Sequence, residues 1–368
     1  MNSNSRYDIY LPKYIQVKKA INEQITQGIY KEGDKLASQA ELAREFKTTK
    51  ATLTKAILEL VDENVLETRA GVGTFVPNRR TIEIKNLKIQ AIIRDPSDPY
   101  QAKFVSTFTS ASFYFGLNSN FHVCGFDKDH EINLLKQFLN DKENYIFTYG
   151  FLSDTARKII KENGHRFFVF GPAPEMEGYT NVITTDFKKG MSKAVDMLTG
   201  LGHERIAYVG NLSEAPYSRY QGYLNGLRKN KIKIDEQIIF KIDKFSQKNK
   251  NKQDSQIKKN VNKILKLSAQ PTAIICHNDH IAMHLLTALF QKGIKIPDDI
   301  SLCSFGGALD GLTGNLRVTA IKQPLETFFK TAIQQILSQK NSNRSYIRIE
   351  PEIIYGNTVK QKGNTNEK

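Results

Sequence analysis

Apolar residues along the first eighty positions recur every three to four places. Between residues 13 and 27, Tyr14, Val17, Ile21 and Ile25 share one helical stripe, and Gly28 stops it. Ser38 stands three residues before Glu41 in the arrangement of a capping box, so a second helix is predicted from Ser38, with Leu42, Ala43 and Phe46 facing inward. Thr49 caps a third helix running to about Asn64, with Leu53, Ala56, Ile57 and Leu60 as its buried face. Residues 65–68 and 74–76 then read as two short strands around Arg69-Ala70-Gly71-Val72-Gly73, where glycine permits a tight turn.

From Leu87 onward the rhythm changes to short apolar runs alternating with amphipathic segments of helical length, the pattern of a parallel α/β fold. Strands are expected at 88–93, 121–126, 145–148, 167–170, 181–184, 205–209, 238–242, 273–276 and 301–304. Helices are expected at 191–201, 221–229 and 281–291, among others. So many βα units imply two lobes. Such sheets bind ligands at the carboxyl ends of their strands, so the loops after Ile93, Val209, Cys276 and Ser304 are the places for a site.

Composition narrows this picture only modestly. With 368 residues, 40% hydrophobic and 25% charged, the chain has the makeup of a globular protein of two or three domains. No run approaches the roughly 18 apolar residues of a membrane span, and the polar start MNSNSRYD has no signal-peptide core, so a soluble cytoplasmic protein is expected. Cys124, Cys276 and Cys303 are far apart in apolar runs and read as reduced core thiols. The net charge of +15 favours a polyanionic partner, yet residues 1–80 hold 13 Lys and Arg against 10 Asp and Glu, so most of the excess lies elsewhere. Part of it sits at 244–263, with seven lysines and one acid, a solvated loop leading into a helix or an auxiliary patch.

The first three helices and the strand pair form a winged helix-turn-helix pattern, with Lys50, Ala51, Thr52, Thr54 and Lys55 on the exposed face of the third helix. Short polar and basic side chains there suit the major groove, and Arg69 on the wing suits a minor groove or a phosphate. A helical hairpin that docks a protein partner satisfies the same local pattern. His277, His280 and His284 lack a third ligand at metal-site spacing, and neither a metal nor a cofactor is expected.

The motifs Pro12-Lys13-Tyr14-Ile15-Gln16-Val17, Gly33-Asp34-Lys35-Leu36, Ser38-x-x-Glu41-Leu42-Ala43, Thr52-Leu53-x-x-Ala56 and Gly71-Val72-Gly73-Thr74-Phe75-Val76 resemble the GntR-type winged-helix family in order and spacing. In that family a helix-two Arg, a Ser-Arg pair opening the recognition helix, a further Arg and the wing glycines contact DNA. By position these fall on Ala40, Thr49 and Lys50, Thr54, and Gly71 and Gly73, while the usual Pro is Ala37. The resemblance implies double-stranded operator DNA as partner, with Ser38, Gln39, Thr49, Lys50, Thr52, Thr54, Lys55, Arg69, Gly71 and Gly73 as candidate contacts. Two arginines are missing and Lys50 replaces a third. Lysine is a point charge where arginine is a fork, so the family's base preferences do not carry over.

A second set, Asp186-x-x-x-Gly190, Leu201-Gly202-His203-x-Arg205-Ile206-Ala207, Arg219-x-x-Gly222-Tyr223, Asn278-Asp279-x-x-Ala282 and Gly293-x-x-Ile296-Pro297-x-Asp299-Ile300-Ser301, is similar to the LacI-type effector domain and to periplasmic sugar-binding proteins. A GntR-type reader on such a domain resembles the arabinose-repressor type of regulator. That resemblance implies a sugar-responsive, homodimeric repressor of carbohydrate genes rather than an enzyme. Arg219 would grip sugar hydroxyls, with Asn278 or Asp279 approaching from the next strand end and Asp186 near the cleft. Asn-Asp after a strand also serves as a helix cap. Where the family has Gly-Tyr-Asp-Asp this chain has Ser304-Phe305-Gly306-Gly307, leaving Asp310 as a substitute acid. Tyr100 and Phe104 offer a stacking wall or core packing.

The resulting organisation is a reader at 1–76, a linker at 77–86, a two-lobed effector and dimerisation domain at 87–357 with lobe crossovers near 202 and 320, and a disordered tail at 358–368. Two other readings stay open: an effector domain that only dimerises or takes a non-sugar ligand, and an enzyme acting on a sugar phosphate or nucleotide.

Overall fold

The computed structural model describes residues 12–63, 65–69, 71–77, 88–115, 117–149, 153–243, 250–309, 314–337 and 344–362. Two compact units divide the chain, residues 1–82 and 83–368.

In the first unit, α1 (Lys13–Thr26), α2 (Gln39–Glu45) and α3 (Lys50–Asp62) bury Val17, Ile21, Leu42, Leu53, Ile57 and Leu60 in one core. The Ser38 capping box is complete: the Glu41 amide donates to Ser38 Oγ (3.3 Å), and the Ser38 amide donates to the Glu41 carboxylate (2.8 Å). Lys18 on α1 reaches Glu59 (3.2 Å) and Glu63 (2.6 Å), tying α1 to α3. The wing is the antiparallel pair β1 (Glu67–Arg69) and β2 (Gly73–Phe75). A third segment, not anticipated, joins it. The amides of Gly33 and Leu36 donate to Val76 and Thr74, and that of Val76 donates to Asp34, all at 2.9 Å.

The second unit holds two six-stranded sheets. The first lobe takes β3 (Lys88–Ile93), α4 (Pro99–Phe115), β4 (Asn118–Val123), α5 (Lys128–Leu139), β5 (Asn144–Tyr149), α6 (Asp154–Glu162), β6 (Phe167–Phe170) and β7 (Asn181–Thr185). The second takes α7 (Phe187–Gly200), β8 (Ile206–Gly210), α8 (Arg219–Lys229), β9 (Ile239–Lys241), α9 (Lys250–Leu265), β10 (Ala273–Cys276), α10 (Asp279–Phe290), β11 (Ser301–Gly306) and β12 (Thr319–Lys322). The chain then returns through α11 (Leu325–Leu337) and β13 (Tyr346–Ile349) to the first lobe, and β14 (Glu352–Ile354) pairs with β12 in the second. Strands β3 to β7 with β13, and β8 to β12, pair in parallel within their sheets; β14 is the antiparallel exception. A ring cluster of Phe104, Phe108, Phe147, Phe170 and Phe329 fills the first lobe between α4, α11 and the sheet. No helix among the described residues is long and apolar enough to cross a membrane.

Three crossovers join the lobes, and they differ from the expected two. The first lies at Thr185–Asp186 and not near 202, because Met191, Ala194, Val195 and Leu198 of α7 already pack in the second lobe with Tyr223 and Leu227. The second follows β12, close to where it was expected. The third, between β13 and β14, had no signal in the sequence. They are bonded to one another: Thr185 Oγ1 donates to Gln323 (3.1 Å), the Asp186 amide to the Ile349 carbonyl (2.9 Å), and Lys189 and Lys193 both pair with Glu350.

The tail also departs from expectation, since residues 358–362 are docked and not disordered. Thr358 is fully buried, its hydroxyl donating to the Leu302 carbonyl (2.7 Å) and accepting from the Thr319 amide (2.9 Å). His203 Nε2 donates to the Lys360 carbonyl (3.0 Å) and Nδ1 meets the Thr272 hydroxyl (2.9 Å). The linker, apart from Pro77, lies outside the described residues.

Thr358→Val keeps the shape but strands a buried carbonyl and amide, so urea unfolding of the effector unit should lose about 1–3 kcal/mol. An unchanged midpoint would mean the tail does not dock. Burial also lowers the His203 pKa. Its folded value is below the unfolded one, so the unfolded chain protonates first, and the stabilisation is complete above about pH 6.5 and lost as pH falls through the folded pKa. The acid-side loss of stability should therefore be smaller in His203→Gln than in the parent, and equal pH profiles would count against it.

Candidate ligand cleft and nucleic-acid interface

Helix α8 begins at Arg219 because the Ser218 hydroxyl accepts from the Gln221 amide (3.1 Å). Its approach to α7 is set by glycine. A Cβ on Gly222 would stand 2.4 Å from the Lys188 carbonyl oxygen, and one on Gly226 would stand 2.6 Å from Val195 Cβ. That close packing delivers the Arg219 guanidinium onto the faces of Phe187 (4.4 Å) and Phe305 (4.6 Å).

Arg219 then enters a directional hydrogen-bond chain. One Nη lies 3.1 Å from His277 Nε2, His277 Nδ1 lies 2.7 Å from Tyr208 Oη, and Tyr208 donates to the Asn211 carbonyl (3.1 Å). A guanidinium only donates, so Nε2 must accept, and the ring proton is assigned to Nδ1, which donates to Tyr208. Arg219 Nε is left enclosed with no partner among the described atoms. In the first lobe Tyr100, 7% exposed, has a buried hydroxyl with no partner either, its ring 5.2 Å from that of Tyr149. The charge of Arg219 faces Tyr149, Tyr208, Tyr100 and Asp279. Two enclosed and unsatisfied polar groups, close enough for Arg219 and Tyr100 to influence each other's charge, cost on the order of 1–3 kcal/mol each, a cost that a hydroxyl-bearing ligand would remove.

Asp98, the residue before α4, belongs to the same surround. Burial pushes its pKa up to about 6, with the Gln101 amide opposing and the Asp279 charge adding to the rise. Asp98, Tyr149 and His277 were not singled out as ligand residues from the sequence. Tyr149 ends β5, and the strand-end rule that pointed to Ile93 applies equally to it.

The remaining sequence candidates divide. Asp279 is 1% exposed and holds a loop: it accepts from Ser304 Oγ (2.5 Å), the Ala308 amide (2.6 Å) and the Gly307 amide. Burial raises its pKa against those bonds. Three of its roughly four acceptor sites are thus engaged in clamping the loop. Gly306, at φ +151°, accommodates this clamp, because a Cβ there would lie 2.2 Å from Asp279 Oδ2. Asn278 caps α10 through the Ile281 amide (2.9 Å), and Asp186 caps α7 through the Lys189 amide (2.9 Å). Phe104 is fully buried among Tyr149, Phe170 and Phe329 and is core, not a cleft wall. Asp310 lies outside the described residues. The three histidines split: His277 serves Arg219, while the His280 and His284 rings lie 4.6 Å apart and His284 Nδ1 lies 2.9 Å from Asp254. A separate surface groove of about 780 Å³ at the start of β8 is lined by Arg205 and Asp235, which pair with each other, so the chemistry points to Arg219 instead.

In the reader unit, Ser38 and Thr49 are helix caps, Thr52 supplies the amide and a hydroxyl partner for Thr49 (3.2 and 2.9 Å), and Thr54 donates back to the Lys50 carbonyl (2.8 Å). Lys55 extends over the Tyr14 ring (3.8 Å), packing on α1 rather than standing free. Gln39 is partly exposed, and Lys50 is exposed at the first position of α3. Gly71 (φ +70°) turns the wing in open space. The Arg69 backbone pairs with Gly73, and its side chain lies outside the description. Lys47, in the turn before α3 at φ 46°, was passed over in the sequence.

Comparison with known proteins agrees with this division. Residues 13–76 match the gntR family of bacterial regulatory proteins, and residues 195–359 match a periplasmic binding protein-like domain. The arabinose metabolism transcriptional repressor of Geobacillus stearothermophilus is 23% identical over 371 residues, 95% of this chain and 98% of the relative. The probable HTH-type transcriptional repressor ExuR of Bacillus subtilis is 29% identical over 161 residues, covering 43% of this chain and 46% of the relative. Among solved structures, the transcription regulator CcpA of Lactococcus lactis has a TM-score of 0.62 at 19% identity, covering 74% of this chain and 99% of that one. A LacI family regulator from Lactobacillus casei with bound glucose has a TM-score of 0.57 at 18% identity, covering 74% and 99%. The chain joins a gntR-family helix-turn-helix to a periplasmic-binding-protein-like domain.

Gly306→Ala should unfold the second lobe at lower denaturant than the parent, by about 1–3 kcal/mol, since the new Cβ displaces the Asp279 clamp from its donors. Asp279→Asn with Gly306→Ala should show non-additive losses in a double-mutant cycle. Strict additivity would mean the two residues do not meet.

Proposed function

We propose that the protein is a transcriptional repressor of carbohydrate-utilisation genes that reads operator DNA through residues 13–76 and is released by a sugar or sugar derivative held at Arg219. It acts as a cytoplasmic homodimer and by binding, not by catalysis. The observation that carries this reading is the pair of unpartnered buried groups, Arg219 Nε and Tyr100 Oη, on a chain that also bears a winged helix. Similarity to the arabinose metabolism repressor over nearly its whole length supports the regulatory role.

The mechanism follows from the parts. A sugar offers adjacent hydroxyls, and Arg219 Nε needs an acceptor while Tyr100 can donate or accept. A ligand bridging the two pulls the lobes together across the three bonded crossovers. In a two-fold dimer, that closure changes the spacing of the paired readers, and a coupling of about 1–3 kcal/mol suffices to release an operator. Two such groups close to one another favour a ligand-binding unit over one kept only for dimerisation.

Fluorescence anisotropy against the chain's own upstream DNA should show binding about a thousandfold tighter than to random duplex at matched salt. Equal affinities would exclude the operator claim. Titrating L-arabinose, D-glucose and a hexuronate into the complex should identify one that releases it. Arg219→Ala should retain DNA affinity while weakening that sugar about 10- to 150-fold, the worth of a charged hydrogen bond; unchanged sugar affinity would remove Arg219 from the site.

A further inference from the structure

The cations of the reader unit are not equally available. Lys18 is committed to Glu59 and Glu63, Lys55 lies over Tyr14, and Arg44 Nε donates to the Ala40 carbonyl (3.3 Å) within its own helix. Lys35 is different. It is exposed, and among the described residues no carboxylate, carbonyl or ring pairs with it. Its backbone lies in the unanticipated third segment of the wing, bridged to Phe75, while the neighbouring Leu36 amide donates to Thr74 (2.9 Å).

The Lys35 side chain has a defined course. A Cβ placed on Gly73 would meet Lys35 Cε at 2.6 Å, Cδ at 3.6 Å and Nζ at 3.5 Å. The lysine stem therefore crosses β2 where that strand has no side chain, and its ammonium is carried onto the wing. The glycine at 73 serves two ends at once: it takes φ +140°, and it leaves the channel along which Lys35 lies. A stem laid on a strand loses less freedom on binding than one waving in solvent, while its charged head stays in water.

We infer that Lys35 is a DNA phosphate contact of the wing, held in place by the gap at Gly73. This rests on the reader being a DNA-binding unit and adds a residue that was not among the candidate contacts. The contact is to a backbone phosphate, because a lysine ammonium is a point charge that finds any phosphate oxygen and carries no base code. It also supplies charge in a unit whose helix-two position holds Ala40 where an arginine was expected.

The test uses the full-length protein and two duplexes, its own upstream DNA and a random sequence of equal length, with anisotropy read across a salt series. Lys35→Gln should shallow the slope of log affinity against log salt by about 0.9 on both duplexes and weaken binding roughly eightfold at 0.1 M salt. Lys35→Arg should restore slope and affinity, and Lys266→Gln, an exposed lysine of the other unit, should change neither. Parent and Lys35→Gln slopes that coincide would overturn the inference while leaving the DNA-binding reading intact. A Lys35→Arg variant as defective as Lys35→Gln would also overturn it, because the stem and not the charge would then matter. A parent protein with no salt-dependent affinity for either duplex would remove the DNA-binding reading itself, and Lys35 with it. Thermal unfolding midpoints of the variants, unchanged from the parent, show that the comparison is made between folded proteins.

Discussion

A guanidinium enclosed against two aromatic faces must find acceptors for its donors, and the architecture of the second lobe follows from that requirement. Ser218 starts α8 at Arg219, and Gly222 and Gly226 bring the helix close enough for the guanidinium to reach Phe187 and Phe305. His277 accepts one Nη only because Tyr208 takes its other ring nitrogen, and Gly210 makes room, since a Cβ there would stand 2.2 Å from His277 Cβ. The same packing leaves Nε enclosed without a protein partner. A site preorganised in this way gives binding energy to whatever supplies the missing acceptor.

The departure at Gly306-Gly307 acquires a physical meaning in the same frame. A chain that places an acid on the helix after β10 and clamps it onto the loop after β11 has no room for a side chain at 306. The start of the loop is held by Asp279 through Ser304, Gly307 and Ala308. In the proposed reading, recognition rests on Arg219 and on the first-lobe aromatic residues, and burial pushes the pKa of the nearby Asp98 up to about 6.

How far the sequence foretold this varies with the kind of interaction. Helices α1 to α3 were legible nearly to the residue, because capping boxes and apolar stripes are local. Strands β3, β6 and β10 were equally plain, being short apolar runs with both faces covered. Strand β4 was expected three residues late: it lies at the sheet edge, where Asn118, Ser119 and Asn120 carry no apolar signal. The first crossover was misplaced because α7 looks like any amphipathic helix until its partner is known. Arg219 and Tyr100, both named from the sequence, lie near one another with unpartnered polar atoms, while Phe104 packs in the core, Asn278 and Asp186 cap helices and Asp279 clamps a loop. Nothing in one dimension shows that a helix-start acid clamps a loop some 25 residues away, or that Lys35 fills the gap at Gly73.

The proposal that matters most is coupling between the reader and the cleft, and thermodynamic reciprocity offers its most direct check. If sugar weakens operator binding by some factor, saturating operator must weaken sugar binding by the same factor. The decisive measurement is calorimetric titration of the releasing sugar into free protein and into protein saturated with operator duplex. A fall in sugar affinity of about 5- to 150-fold, matching the loss of DNA affinity, is the predicted result. Identical sugar affinity with and without operator would contradict it.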